Sequence, residues 1–236
     1  MLAAGFLFGC MGVLVKLGAG QFSSAELVFY RSALGLLFVI PMLRRNGYAT
    51  PHWRGHLWRG LSGTVAMMLF FYCITTLPLA TAITLNYTSS LFLTLLTLLA
   101  FKDRPHLPLI AALLLGFAGI VLLLHPTLER DQLISGLLGL LSGLLAGFAL
   151  FNVRQLGILG EPASRVVFYF NLTATLFTGG WLMLGNQPQP PPLATLPLLL
   201  GLGASATFAQ LAMTRAYRLG ATPVVSVLAY LSLIHI

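Results

Sequence analysis

The sequence predicts an all-α polytopic membrane protein, and three observations carry that prediction. Long apolar runs recur along the chain, charge is scarce, and the charge present collects between the runs. Of the 236 residues 58% are hydrophobic and only 8% are charged, against about a quarter charged in an ordinary soluble domain. Thirteen Lys and Arg with five Asp and Glu cannot clothe a water-facing surface on a chain of this length, so lipid is the solvent that fits. In lipid each backbone amide needs a partner within its own segment, and continuous apolar runs therefore become helices.

A helix needs about 20 apolar residues to cross roughly 30 Å of hydrocarbon. The first run, 2–18, has neither a basic leader nor a small-residue cleavage site, and reads as a spanning helix instead of a signal peptide. The second, 25–43, opens with Glu26, placed where a helix dipole favours an anion. It carries Arg31 at membrane depth. The third, 59–77, starts after a basic stretch, and the fourth, 79–101, follows the tight junction LPLA. The fifth is 107–124, the sixth 133–153, the seventh 164–184, and the eighth 196–217, after the proline-rich NQPQPPP. A ninth starts at Ala221 and has no terminating charge or cap before Ile236, so it is expected to be incomplete.

A formal charge of +8 invites nucleic acid, but the basic residues form no single patch. They alternate with topology instead. Arg44, Arg45, Arg54, Arg59, Lys102, Arg104, Arg154, Arg165, Arg215 and Arg218 follow the even-numbered helices, while Arg130 alone falls in an odd-numbered connection. The positive-inside rule then places the N-terminus in the cytoplasm and the proline-rich loop outside. The expected location is a bacterial inner membrane. Cys10 and Cys73 have no paired spacing and predict neither a disulfide framework nor a metal site.

Internal similarity divides the chain. Gly5-x-x-x-Gly9 with Lys16 returns as Gly143-x-x-x-Gly147 with Arg154, Val28-Phe29-Tyr30 returns as Val167-Phe168-Tyr169, and Tyr87-Thr88-Ser89 returns as Tyr230-Leu231-Ser232. Their shared order points to two repeats, 1–125 and 133–236. Five helices per half is an odd number, so the second half enters from the opposite face and the repeats are inverted. Along these residues the chain resembles the EamA-type family of the drug/metabolite transporter superfamily. The resemblance rests on FGCMGVLVK, SSAELVFYRSALGLL, LATAITLNYTSSLF, FKDRP and AYRLGATPVVSVLAYLS. It departs from the family at Lys102-Asp103-Arg104, where a Gly-Glu-Arg signature is usual, and in ending before a tenth helix. About nine of the family's ten helices are thus expected, with the second repeat truncated before its fifth.

The resemblance implies a secondary, non-ATP transporter of small metabolites, an exporter or exchanger working by alternating access. It also implies a central cavity lined by the first, third, fourth, sixth, eighth and ninth helices. That cavity would collect Lys16, Tyr72, Asn86, Tyr87, Asn152, Gln210 and Tyr230 as substrate-binding residues, with Arg31 supporting the wall. Polar groups at membrane depth face cavities or one another. Lys16 can equally snorkel to the interface, and Tyr72 and Tyr87 can equally join an aromatic belt. Glu26, the one acid close to a span, is the candidate for coupling to protons. Two cations, Lys16 and Arg31, against Glu26 leave an excess of positive charge that favours an anionic metabolite. The expected partners are the lipid bilayer, that metabolite and a second copy of the chain in a homodimer, with no nucleic acid and no cofactor.

Rival readings are a membrane-embedded enzyme, such as an intramembrane hydrolase, and a non-transporting membrane scaffold. Gly60-Leu61-Ser62-Gly63 matches a GxSG element, but its partner would have to be His125, at the far end of the fifth helix. His52-x-x-x-His56 has a metal-ligand spacing without the second such pair a di-iron centre needs. No metal is expected.

Overall fold

The computed structural model describes residues 1–101, 107–124, 127, 132–185, 191–220, 224, 225, 228 and 229. The chain forms α1 (Leu2–Gly18), α2 (Ser24–Asn46), α3 (Trp53–Thr76), α4 (Leu79–Phe101), α5 (Leu107–Leu124), α6 (Leu133–Ile158), α7 (Ala163–Gly185) and α8 (Leu196–Leu219). A 3-10 turn, Leu193–Thr195, leads into α8. No strand occurs among the described residues. Six helices, α2, α3, α4, α6, α7 and α8, are long and apolar enough to cross a membrane. Of the ninth run only 224, 225, 228 and 229 are described; Tyr230, Lys102-Asp103-Arg104, His125, Arg130 and the loop 186–190 lie outside the described residues.

The bounds of α1, α4 and α5 agree with the apolar runs, whereas α3 starts at Trp53 instead of Arg59 and α6 runs on to Ile158. Expectation stopped at the first charge. A helix does not, because backbone amides still gain from intrahelical bonding while long cationic side chains reach the interface. At the start of α2 the Ser23 hydroxyl accepts from the Glu26 amide at 3.3 Å, and Glu26 Oε2 accepts from the Ser23 amide at 2.8 Å. This is a capping box, which satisfies two amides the helix leaves orphaned.

Contacts define two ends of the bundle. Gly55 abuts Leu156, Gly157 abuts Arg218, and Arg165 Nε donates to the Gly47 carbonyl at 3.3 Å. The start of α3 and of α7 therefore meet the ends of α2, α6 and α8, and Met1 joins them through a cluster with Val153, Leu156 and Tyr217. This is the basic end, holding Arg44, Arg54, Arg154, Arg165, Arg215 and Arg218. At the opposite end Gly18 abuts Leu27 and Leu198.

Packing partners recur in pairs. α1 lies on α8 as α6 lies on α3, α2 touches α8 as α7 touches α3, and α2 packs directly on α7. Glycine permits the closest seams: a Cβ at Gly147 would come within 2.9 Å of the Ser89 carbonyl oxygen, and one at Gly143 within 2.9 Å of the Leu85 carbonyl oxygen, so α6 rests on α4 backbone to backbone. The Gly143/Gly147 element noted in the sequence is thus a packing device. An apolar cluster around Val15, Leu27, Phe71, Ile74 and Leu202 fills the bundle near one end, and the cluster around Leu93, Val153 and Tyr217 fills it near the other.

Candidate functional site

Between these clusters lies a cavity of about 220 Å³. Most of its wall is apolar, with Met11, Met67, Phe70, Phe71 and Met213 among the lining side chains. Its polar lining comes from four helices: Arg31 on α2, Arg59 on α3, Asn86, Tyr87, Ser89 and Ser90 on α4, and Gln210 on α8. Gly12 on α1 faces open space, which keeps that wall thin.

Arg31 and Arg59 are 1% and 4% exposed. Both guanidinium groups share the ring of Phe170 on α7, Arg59 with its Cζ 4.0 Å from the centroid and Arg31 at 5.4 Å. An aromatic face attracts a cation through its quadrupole, and does so more strongly where water is excluded. Arg59 Nη2 also donates to Gln210 Oε1 at 3.2 Å. One turn beyond Arg59, Gly63 has no side chain, and a Cβ there would collide with Arg59 Nη1 and lie 3.0 Å from the Phe170 ring. Glycine at this position thus makes room for the guanidinium. Nε and Nη1 of both arginines nevertheless make no hydrogen bond among the described residues.

Neither described acid reaches them. Glu26 caps α2. Glu161, in the turn between α6 and α7, accepts from Arg165 Nη1 at 2.9 Å and from the Thr50 hydroxyl, and lies 3.5 Å from His56 Nε2. Burial alone would raise the Glu161 carboxyl. The hydrogen bonds from Thr50 and Arg165, with the charges beside it, outweigh that and hold it below its ordinary range.

Of the residues singled out in the sequence, the structure brings Asn86, Tyr87, Gln210 and Arg31 to the cavity. Arg31 lines it directly. Lys16 Nζ donates to the Ile74 carbonyl at 2.7 Å, closing the end of α3. Tyr72 is 39% exposed, and Asn152 Nδ2 donates to the Phe148 carbonyl of its own helix at 2.9 Å. These three are not among the lining residues. Arg59 and Phe170 are the residues sequence reasoning missed. Arg59 reads as a loop cation because apolar runs end at charges, and a phenylalanine among so many carries no mark of its role.

Among the described residues the rival chemistries find no supporting geometry. Ser62 Oγ donates to the Trp58 carbonyl at 2.6 Å, and Gly60 of the same motif abuts Thr173. His56 stacks on Tyr169 with ring centroids 4.6 Å apart, and among the described residues no group of three or more His, Cys, Asp and Glu is placed to hold a metal ion.

Known proteins share this fold. A solved crystal structure shares the fold with a TM-score of 0.78 at 17% identity, over 98% of this chain and 83% of that one. The pseudopaline exporter CntI of Pseudomonas aeruginosa is 31% identical over 234 residues, which cover 98% of this chain and 81% of the exporter. A riboflavin transporter of Rhizobium johnstonii is 29% identical over 223 residues, covering 92% of this chain and 72% of that protein. These relatives are named as transporters, not enzymes. With residues 1–125 also matching the EamA-like transporter family itself, this chain is a member of that family and an integral membrane protein.

Proposed function

We propose that the chain is a secondary carrier that moves a small metabolite out of, or in exchange across, a bacterial inner membrane by alternating access. The observation that carries this reading is the cavity, walled by helices from both halves of the chain and lined by polar groups that lipid would not tolerate. The paired packing of α1 on α8 with α6 on α3, and of α2 on α8 with α7 on α3, supports two inverted repeats, 1–125 and 133–236. Rocking one repeat against the other would open the cavity to each face in turn. An exporter among the relatives supports the outward direction. Arginines gathered at the end where Met1 lies support a cytoplasmic N-terminus.

Proteoliposomes loaded with an isotope-labelled bacterial metabolite extract test the reading without ATP. A subset of compounds should leave vesicles carrying the chain and stay in empty ones; equal retention in both would overturn it. Orientation is checked by single cysteines at Gln21 and Tyr48 in a cysteine-free background. Tyr48→Cys should react with impermeant maleimide only from the cytoplasmic side and Gln21→Cys only from outside.

A further inference from the structure

Two arginines with no carboxylate beside them among the described residues are an unusual thing to keep inside a membrane bundle. Burying a charge is costly unless it is paired, and the stacking on Phe170 and the single bond to Gln210 leave four guanidinium nitrogens without a partner. Methionine or leucine at these positions would fill the space at no electrostatic cost. Both side chains instead point into the one cavity, and Gly63 makes room for the head of Arg59. A guanidinium presents parallel N–H donors whose spacing matches the two oxygens of a carboxylate or phosphate. The rest of the wall, Met11, Met67, Phe70, Phe71 and Met213, suits a flexible apolar or aromatic body, methionine adapting readily to irregular shapes.

We propose that Arg31 and Arg59, held against Phe170, form an oxyanion cradle, and that the cavity takes an amphipathic organic anion whose carboxylate or phosphate completes the arginines' hydrogen bonding. The cradle is the anion-binding element of the carrier site, and only in calling its ligand cargo does it rest on the carrier reading. Gln210 positions Arg59. Lys16, committed to the Ile74 carbonyl, takes no part.

Equilibrium binding of radiolabelled phenylacetate, phenyl phosphate and neutral phenylacetamide to the purified chain in dodecyl maltoside, which carries no phosphate, tests the cradle without requiring transport. At least one anion should bind tenfold or more tighter than the amide, and the tighter of the two identifies the oxyanion. Arg59→Met and Arg31→Met should each abolish that preference, while Arg59→Lys, which keeps the charge but not the fork, should restore part of it and so exclude simple loss of fold. Equal binding of the amide, no binding of either anion, or anion preference intact in both methionine variants would overturn the proposal. Anion-selective binding without flux in liposomes would sink the carrier reading and leave the cradle standing. Flux of metabolites regardless of charge would do the reverse.

Discussion

At the basic end, Arg165 donates to Glu161 at 2.9 Å and to the Gly47 carbonyl at 3.3 Å, and Glu161 in turn takes the Thr50 hydroxyl and faces His56. In the cavity, Arg31 and Arg59 have an aromatic ring and one amide oxygen between them. The same side chain is used in two ways. Where the cation meets an acid and a carbonyl, it ties the turn before α7 to the segment joining α2 and α3, and its role is structural. Where donors are left over inside a cavity, the missing acceptor points to a ligand. Partner supply, rather than charge, separates the two.

The largest break in that contrast should come from removing the acid. Glu161, 3% exposed, holds three groups together, so Glu161→Ala should lower unfolding stability by about 3–5 kcal/mol, as loss of one member of a buried pair does. Thermal unfolding in detergent reads this directly, and a loss below about 1 kcal/mol would show that the basic end is not held by the cluster. Acidification should act in the same direction but less, because a protonated carboxyl still hydrogen-bonds. The Glu161 carboxyl is held below its unfolded value, which is about 4.3. Its contribution is therefore complete above about pH 4.3 and disappears as pH falls through the lower folded value. The gap in melting temperature between the wild type and Glu161→Gln should be constant near neutrality and close in acid; a gap that widens in acid would reverse the assignment.

Gly147 tests the seam between α4 and α6. A Cβ there would lie 2.9 Å from the Ser89 carbonyl oxygen and 3.1 Å from the Leu93 amide nitrogen, both backbone groups that cannot step aside, so Gly147→Ala should cost about 1–3 kcal/mol through overpacking. No loss would mean that α4 and α6 slide freely. The smallest effect, and of opposite sign, belongs to the cavity. Arg31→Met should leave stability unchanged or raise it by about 1 kcal/mol, since apolar replacement of buried charge is commonly neutral or stabilising. A loss as large as that of Glu161→Ala would make Arg31 a structural cation and erase the comparison.

The sequence by itself determined the solvent and the class of fold. Scarce charge and long apolar runs act locally, because a helix in lipid satisfies its own backbone, and for α1, α4 and α5 the runs and the helices coincide. Glu26 was also legible, because the second apolar run opens on it where the helix dipole favours an anion, while the capping box with Ser23 emerged from the structure. Asn86, Tyr87 and Gln210 could be picked out because polar groups are expensive at membrane depth. Only the tertiary structure decided which cations are satisfied. Lys16 finds the Ile74 carbonyl across 58 residues of chain, and Arg59 finds Gln210 across 151. Lys16 and Arg59 look alike as charges flanking apolar runs, and what separates them is whether folding leaves buried donors without an acceptor, as it does for Nε and Nη1 of Arg59, which depends on helices far away in sequence and close in space.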